Sequence, residues 1–322
     1  KNWGATNGTN VRWHADVIHD YFRNTFGYTG MDYQMKGYVD QGAGYNGAAN
    51  GTDIFFGSQD GEYWARSSDV VYHEYTHNTI YHIYGGWIGS DYYSQGMAMD
   101  EGLADYHACT LNNDPIQGES VGVSRNLDNN TYTWSSSAGA HWNGQVIGGA
   151  CWDTRQAVGA SVANTLVLRA LQITPHARDF DDFLINMLIA DNTYYGGSHL
   201  AQIRAAFAAH GISTPALYAS ISGPSSLSSY QQGTWTVSAS GGVPPYTYQW
   251  YYRYPIVIPD EEPQDEKASS IAKRPPHGVW LTVGTGSYQL TRSDIEDFEL
   301  KCVATDLVNT QVTSNIKSVS VN

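Results

Sequence analysis

The chain reads as an α+β region followed by an all-β region, and three features argue for this. Up to about residue 215, stretches with helical periodicity alternate with Gly- and Asn-rich loops. Beyond it, short β-type runs are separated by turn residues. Two of the early helical stretches carry unusual sets of residues: His73-Glu74-Tyr75-Thr76-His77 on one, Asp100-Glu101-Gly102-Leu103-Ala104-Asp105 on the other. At 322 residues the chain suits two domains, 1–215 and 216–322.

In the first domain, Val11, Ala15, Ile18 and Phe22 give Asn10–Phe26 a helical stripe. Gly51–Gly57, with Ile54, Phe55 and Phe56, reads as a strand. Ser67 or Ser68 can cap a helix running through Asp69 to Tyr84, where Gly85-Gly86 stops it. A second helix spans Met97–Leu111 and puts Glu101 and Asp105 on one face. A third starts near His141 and passes Trp152. Further helices fit Ser161–Ile173, Phe180–Asp191 and Ser198–His210, with Gly211 as a stop. The implied architecture is a small β-containing entry lobe followed by a helical lobe.

In the second domain the runs are Thr234–Ser238, Tyr246–Tyr252, Val279–Val283, Phe298–Thr305 and Val312–Val321. Trp250 and the alternating Phe298, Leu300, Cys302 and Ala304 supply inward faces. Pro259–Pro276, acidic and Pro-bearing, reads as a long exposed loop. The rhythm resembles Ig-like or PKD-like β-sandwich domains appended to secreted bacterial enzymes. Such a module would contact substrate, a cell surface or another copy of the chain.

Composition narrows the partners. A formal charge of −14, with no basic patch, argues against nucleic acid and anionic membrane. No apolar run is long enough to span a bilayer. Charged residues make up only 15% while Tyr numbers 24 and Gly 33, a composition that fits a secreted protein. The chain opens at Lys1 with neither Met nor a signal peptide, as expected of a mature or trimmed piece. Sequons stand at Asn7, Asn50 and Asn129. Of the 3 cysteines, Cys109 and Cys151 can pair if their helices meet, leaving Cys302 as a buried strand residue.

The chemistry follows from spacing. A helix advances about 100° per residue, so His73 and His77 share a face one turn apart. Two such imidazoles can grip a tetrahedral Zn²⁺ and leave room for a carboxylate and a water. Glu74 lies beside that face without joining it, which suits a general base. Glu101 is the expected third ligand. Asp105, one turn on, would accept the free N–H of His73, and Asp100 would serve His77 in the same way.

These motifs resemble the gluzincin metallopeptidases, the thermolysin family above all and the fungalysin family in parts. Asp69-Val-Val-Tyr-His-Glu-Tyr-Thr-His is similar to the thermolysin-family zinc helix. Tyr45-Asn-Gly-Ala-Ala-Asn-Gly-Thr-Asp-Ile-Phe-Phe-Gly resembles its substrate-holding edge strand, and Leu168-Arg-Ala-Leu and Ala205-Ala-Phe-Ala-Ala-His-Gly resemble its closing helices. The likeness covers residues 11–214 and implies a thermolysin-like catalytic domain ahead of the Ig-like sandwich. It implies a secreted zinc endopeptidase acting on protein or peptide substrates. His141 would stabilise the oxyanion, assisted by Tyr92 or Tyr93. Arg125 would bind a substrate carbonyl, and Asn46 with Ala48 or Ala49 would hold the substrate backbone. Asp69, Asp114 and Glu119 match calcium-ligand positions, although Asn112 and Ile116 stand at two others.

The chain also departs from the family. Ser136 stands where an aspartate orients the oxyanion histidine, so His141 needs another support. Little chain precedes the zinc helix, which implies a reduced N-terminal β lobe and a shallower cleft. Nothing resembles the glutamate-rich motif with which aminopeptidases of this clan bind an N-terminal amine. The missing lobe and the appended β domain suggest one rival, an extracellular structural, adhesive or binding protein on a metallopeptidase scaffold. Retention of Glu74 weighs against it, because a scaffold has no need of a base.

Overall fold

The computed structural model describes residues 7–44, 46–129, 132–256 and 276–322. Contacts divide the chain into two compact units, Lys1–Ser213 and Thr214–Asn322. Tyr45 and all but the last residue of the expected loop Pro259–Pro276 lie outside the described residues.

The first unit opens with helix α1, Asn7–Asp20, which continues as a π-helical turn, Tyr21–Thr25. Strands β1 (Gly37–Tyr38), β2 (Gly47–Ala49) and β3 (Ile54–Phe56) follow. They form a sheet of order β1-β3-β2, so β2 is an edge. β3 is shorter than the expected Gly51–Gly57. Asn50 Oδ1 accepts the N–H groups of Thr52 and Asp53 at 3.0 and 2.7 Å, and the chain turns there before it extends. A hairpin, β4 (Ser58–Gln59) with β5 (Glu62–Tyr63), leads to helix α2, Ser68–Tyr84.

Ser67 occupies the N-cap position of α2, but neither candidate serine caps it. The Ser67 hydroxyl meets Ser120 Oγ at 3.0 Å, and Ser68 Oγ donates to Asp69 Oδ1. Gly85, in the left-handed conformation (φ 67°), ends the helix as expected. Helix α3, Gln95–Asn112, starts before the expected Met97 because Ser94 Oγ accepts the Met97 N–H at 3.2 Å. A short pair that periodicity does not reveal, β6 (Ile116–Gln117) and β7 (Arg125–Asn126), precedes helix α4, Ala140–Val158. Helices α5 (Ala160–Gln172), α6 (Phe180–Tyr195) and α7 (Leu200–Ala209) complete the unit.

α2 is buried on every side from Val70 to Ile80, polar residues included. α3 and α4 touch backbone to backbone, since a Cβ on Gly102 would lie 2.2 Å from the Gly144 carbonyl oxygen. That approach fixes Glu101, next to Gly102, relative to the first turn of α4. Cys109 on α3 and Cys151 on α4 are free, buried thiols, so the two do not pair although their helices meet.

The second unit is all β: β8 (Tyr218–Ser222), β9 (Ser226–Leu227), β10 (Gly233–Ser240), β11 (Thr247–Arg253), β12 (Leu281–Thr285), β13 (Gln289–Arg292), β14 (Phe298–Thr305), β15 (Gln311–Thr313) and β16 (Lys317–Val321). One sheet has the order β13-β10-β8, the other β12-β11-β14-β16-β9, with β15 also on β14. Trp235 and Val237 from the first sheet share a core with Trp250, Phe298, Leu300 and Cys302 from the second. The expected Val312–Val321 run is two strands. Ser314 interrupts it by giving its N–H to Cys302 O and accepting the Cys302 N–H on Oγ. No helix among the described residues is long and apolar enough to cross a membrane.

The first unit carries two buried histidines whose titration bears on stability. Burial pushes His107 down to about 3 and His14 down to about 4. Both are neutral when folded, so their stabilising contribution is complete above pH 6.5 and is lost as pH falls towards those values. With metal removed by chelator, denaturant titrations at pH 7 and pH 4.5 should show lower stability at the acid end. His107→Gln should shrink that difference by about 2–3 kcal/mol. An unchanged pH dependence in the variant would contradict this account.

Candidate metal centre

Helices α2 and α3 bring together the imidazoles of His73 and His77 and the carboxylate of Glu101. The two Nε2 atoms are 2.9 Å apart, and Glu101 Oε2 lies 3.2 Å from that of His73 and 3.7 Å from that of His77. Ligands about 2.05 Å from a tetrahedral Zn²⁺ are separated by about 3.3 Å. The observed edges bracket that value. Among the described residues this is the one group of His, Cys, Asp or Glu atoms close enough to hold a metal.

The opposite ring atoms explain why a cation belongs there. Asp105 Oδ1 lies 2.8 Å from His73 Nδ1, and Asp100 Oδ1 lies 3.2 Å from His77 Nδ1. A carboxylate beside Nδ1 keeps the proton on that nitrogen and leaves the Nε2 lone pair free. Two lone pairs and a carboxylate oxygen then converge in a buried space. Burial opposes charge on His77, but Asp100 and Glu101 outweigh it and raise its affinity for a proton. Burial would raise Asp105, yet Arg125 and His73 hold it down at about 2. Asp105 is therefore ionised when the site is folded.

Glu74, 6% exposed, stands alongside this group without joining it. Burial pushes its carboxyl above the usual range, against the opposing pull of His73 and His77. Gly47 on β2 is what leaves it room. A Cβ there would meet Glu74 Oε1 at 2.5 Å and Val70 Cγ1 at 3.0 Å.

Asn46, Ala48 and Ala49 line the same cavity, of about 910 Å³, as His73, Glu74 and Glu101. Asn46 O accepts the Gly57 N–H, and Asn50 N–H donates to Asp53 O, so both face β3. Backbone direction alternates along a strand. Ala48 therefore also faces β3, whereas Gly47 and Ala49 present their N–H and C=O groups at the free edge.

His141, on the first turn of α4, points Nε2 at Glu101 Oε2 across 3.3 Å. Its Nδ1 meets the Tyr92 hydroxyl at 3.2 Å. Tyr92 thus stands on the Nδ1 side of the imidazole. Tyr93 does not reach the histidine; it is exposed, and its ring packs edge-on against Tyr92. Arg125 lines the cavity, but its Nε and Nη2 grip Asp105 at 2.7 and 2.6 Å. It joins the site through the aspartate that serves His73.

The calcium candidates are arranged differently. Asp69 Oδ1 accepts from Asn112 Nδ2, and Oδ2 from the Gly118 N–H. Asp114 Oδ1 accepts the Ile116 N–H, and Glu119 lies near enough to both aspartates for them to add to the upward shift that burial gives its carboxyl. Gly47, Gln117 and Trp142, about which the sequence raised no expectation, also line the cavity. Only the position of Gly47 inside the edge-strand motif offered a signal for any of them.

Residues 1–80 match the model of the thermolysin metallopeptidase catalytic domain. That stretch carries His73, Glu74, His77 and the edge strand. The chain is 24% identical over 238 residues to an extracellular elastase of Staphylococcus epidermidis (strain ATCC 12228 / FDA PCI 1200), covering 64% of this chain and 46% of that protein. A second S. epidermidis extracellular elastase is equally similar, with the same coverage. The chain thus spans about half the length of the relatives it matches.

Elemental analysis of the purified protein should find one zinc per chain, absent from His73→Ala, His77→Ala and Glu101→Ala. Asp105→Asn should keep the site but weaken it by roughly 10–100-fold in a chelator competition. Zinc retained by all three ligand variants would place the metal elsewhere.

Proposed function

We propose that this chain is a secreted zinc-dependent endopeptidase. One observation carries the reading: a buried carboxylate, Glu74, is held beside a His-His-Glu group of metal-binding dimensions in a cleft with a free strand edge. Zn²⁺ bound by His73, His77 and Glu101 would supply polarisation of the scissile carbonyl and acidify a water. Glu74 takes the proton of that water and carries it to the leaving amine, and its burial favours proton uptake.

A peptide laid along β2 would pair with the backbone of Gly47 and Ala49, while the Asn46 amide reaches it from the side. Tyr92, donating to His141 Nδ1, selects the tautomer with a proton on Nε2. That N–H is then preplaced for the developing oxyanion, a role typically worth about 3–4 kcal/mol. Arg125, with its charge matched by Asp105, is suited to a carbonyl and not to a carboxylate. Secretion is supported by the two extracellular relatives. We read the second unit as an Ig-like β-sandwich that contacts substrate, a surface or another copy, and the Asp69, Asp114 and Glu119 region as the place where calcium would bind.

Casein hydrolysis tests the reading. Wild type with zinc should be active, chelation should abolish activity and zinc should restore it. Glu74→Gln should bind zinc normally yet lose roughly 10²–10⁴-fold in rate. No hydrolysis by zinc-loaded wild type would favour the rival, a binding or structural protein on this scaffold.

Gly47→Ala provides a finer check. The added methyl would displace the Glu74 carboxylate, so kcat should fall at least about tenfold with zinc content unchanged. Full activity in that variant would mean that Glu74 is not held by the edge strand.

A further inference from the structure

One wall of the cavity carries a hydrogen-bond donor that the protein itself does not use. Gln145 lies on α4, four residues after His141 and so on the same face of the helix, and both residues line the cavity. Only 6% of Gln145 is exposed. Its Oε1 accepts the Asn126 N–H of β7 at 3.1 Å. Because that partner is a donor, the oxygen end of the amide is identified, and the other end is the NH₂ group. Nε2 has no acceptor among the described residues, yet it is not one of the buried atoms closed to water. The unpartnered Gln117 Oε1 and Trp64 Nε1 on the same cavity are closed to it.

An exposed glutamine without a partner would be ordinary, because water serves it and its rotamers are free. Gln145 is different. Burial and the Asn126 bond hold its amide in one orientation, so a ligand does not bear the cost of ordering it.

Its place relative to the metal group says which acceptor it meets. Gly47 of β2 packs on Glu74, and His141 of α4 faces Glu101, so the reactive groups stand between β2 and α4. A peptide paired with β2 turns alternate carbonyls away from that strand. Those carbonyls recur every two residues, about 6.8 Å, and four residues along α4 cover about 6 Å. The spacing of His141 and Gln145 thus suits two successive carbonyls of that set. A neutral acceptor fits best. Arg125, next to Asn126, already gives Nε and Nη2 to Asp105, so a carboxylate would lose its hydration without meeting an unspent cation.

We propose that Gln145 is a substrate-binding residue, its NH₂ group donating to a backbone carbonyl two residues from the scissile one. This rests on the endopeptidase reading.

The test couples peptide analogues to variants. One cleavable peptide is compared with two analogues in which an alkene isostere removes the carbonyl two residues before or two residues after the scissile one. With zinc-loaded wild type, one analogue should lose about tenfold in kcat/KM. Gln145→Glu keeps an oxygen for the Asn126 N–H but replaces the donor by an acceptor, and Gln145→Leu removes both. In each variant the parent peptide should weaken and the penalty for that analogue should vanish, a coupling that a merely structural role would not produce. A second readout is independent of turnover: calorimetric affinities of zinc-loaded Glu74→Gln, with and without Gln145→Glu, should show the same coupling. Peptides bound with this coupling but never cleaved by wild type would end the endopeptidase reading and leave the Gln145 assignment standing. An equal penalty in wild type and both variants, no penalty at either position, or no peptide binding at all overturns the proposal.

Discussion

Mutual repulsion among acceptors governs the first unit. His73 Nε2, His77 Nε2 and Glu101 Oε2 approach within 2.9–3.7 Å inside a buried space, where an uncompensated cluster of lone pairs and negative charge is costly. The carboxylates behind the rings make protonation at Nδ1 favourable and so aim the free lone pairs inward. An added cation relieves the repulsion, whether a metal ion or a proton on an imidazole, so folding is linked to both metal and proton binding through it.

Such a cluster needs rigid supports, and the fold provides them by close packing. Glu101 cannot drift because Gly102, its neighbour, lies against the Gly144 carbonyl on α4. The same contact sets His141, one turn earlier on α4, against Glu101 Oε2. From the other side Arg125 closes on Asp105 with two short bonds, and Asp105 in turn faces His73. Each polar group of the site is therefore held by a neighbour whose own freedom is already spent.

Much of this was legible in the sequence because it obeys helical periodicity. His73 with His77, and Glu101 with Asp105, are four apart, and that spacing alone puts each pair on one face. Long helices and alternating strands such as Phe298–Thr305 announced themselves for the same reason. What stayed hidden depends on contacts between distant segments. Ser67 looks like a helix cap, yet its hydroxyl is claimed by Ser120, far along the chain. β6 and β7 are too short to carry a period, and their pairing places Gln117 in the cleft. Tyr92 and Tyr93 are adjacent and chemically equal, and only tertiary placement separates the one that meets His141 from the one that does not. Direction along β2 likewise comes from hydrogen bonds to Gly57 and Asp53, so Ala48 and Ala49 could not be told apart beforehand.

The contrast between the two sides of Glu74 gives the cleft its logic. On the metal side, polar atoms converge and every basic atom has a carboxylate nearby. Towards β2, the protein has removed a side chain altogether, since anything larger than Gly47 would strike the glutamate. Towards β6, it has done neither: Gln117 and Trp64 keep buried polar atoms without partners, where a methyl-bearing residue of equal size would cost less.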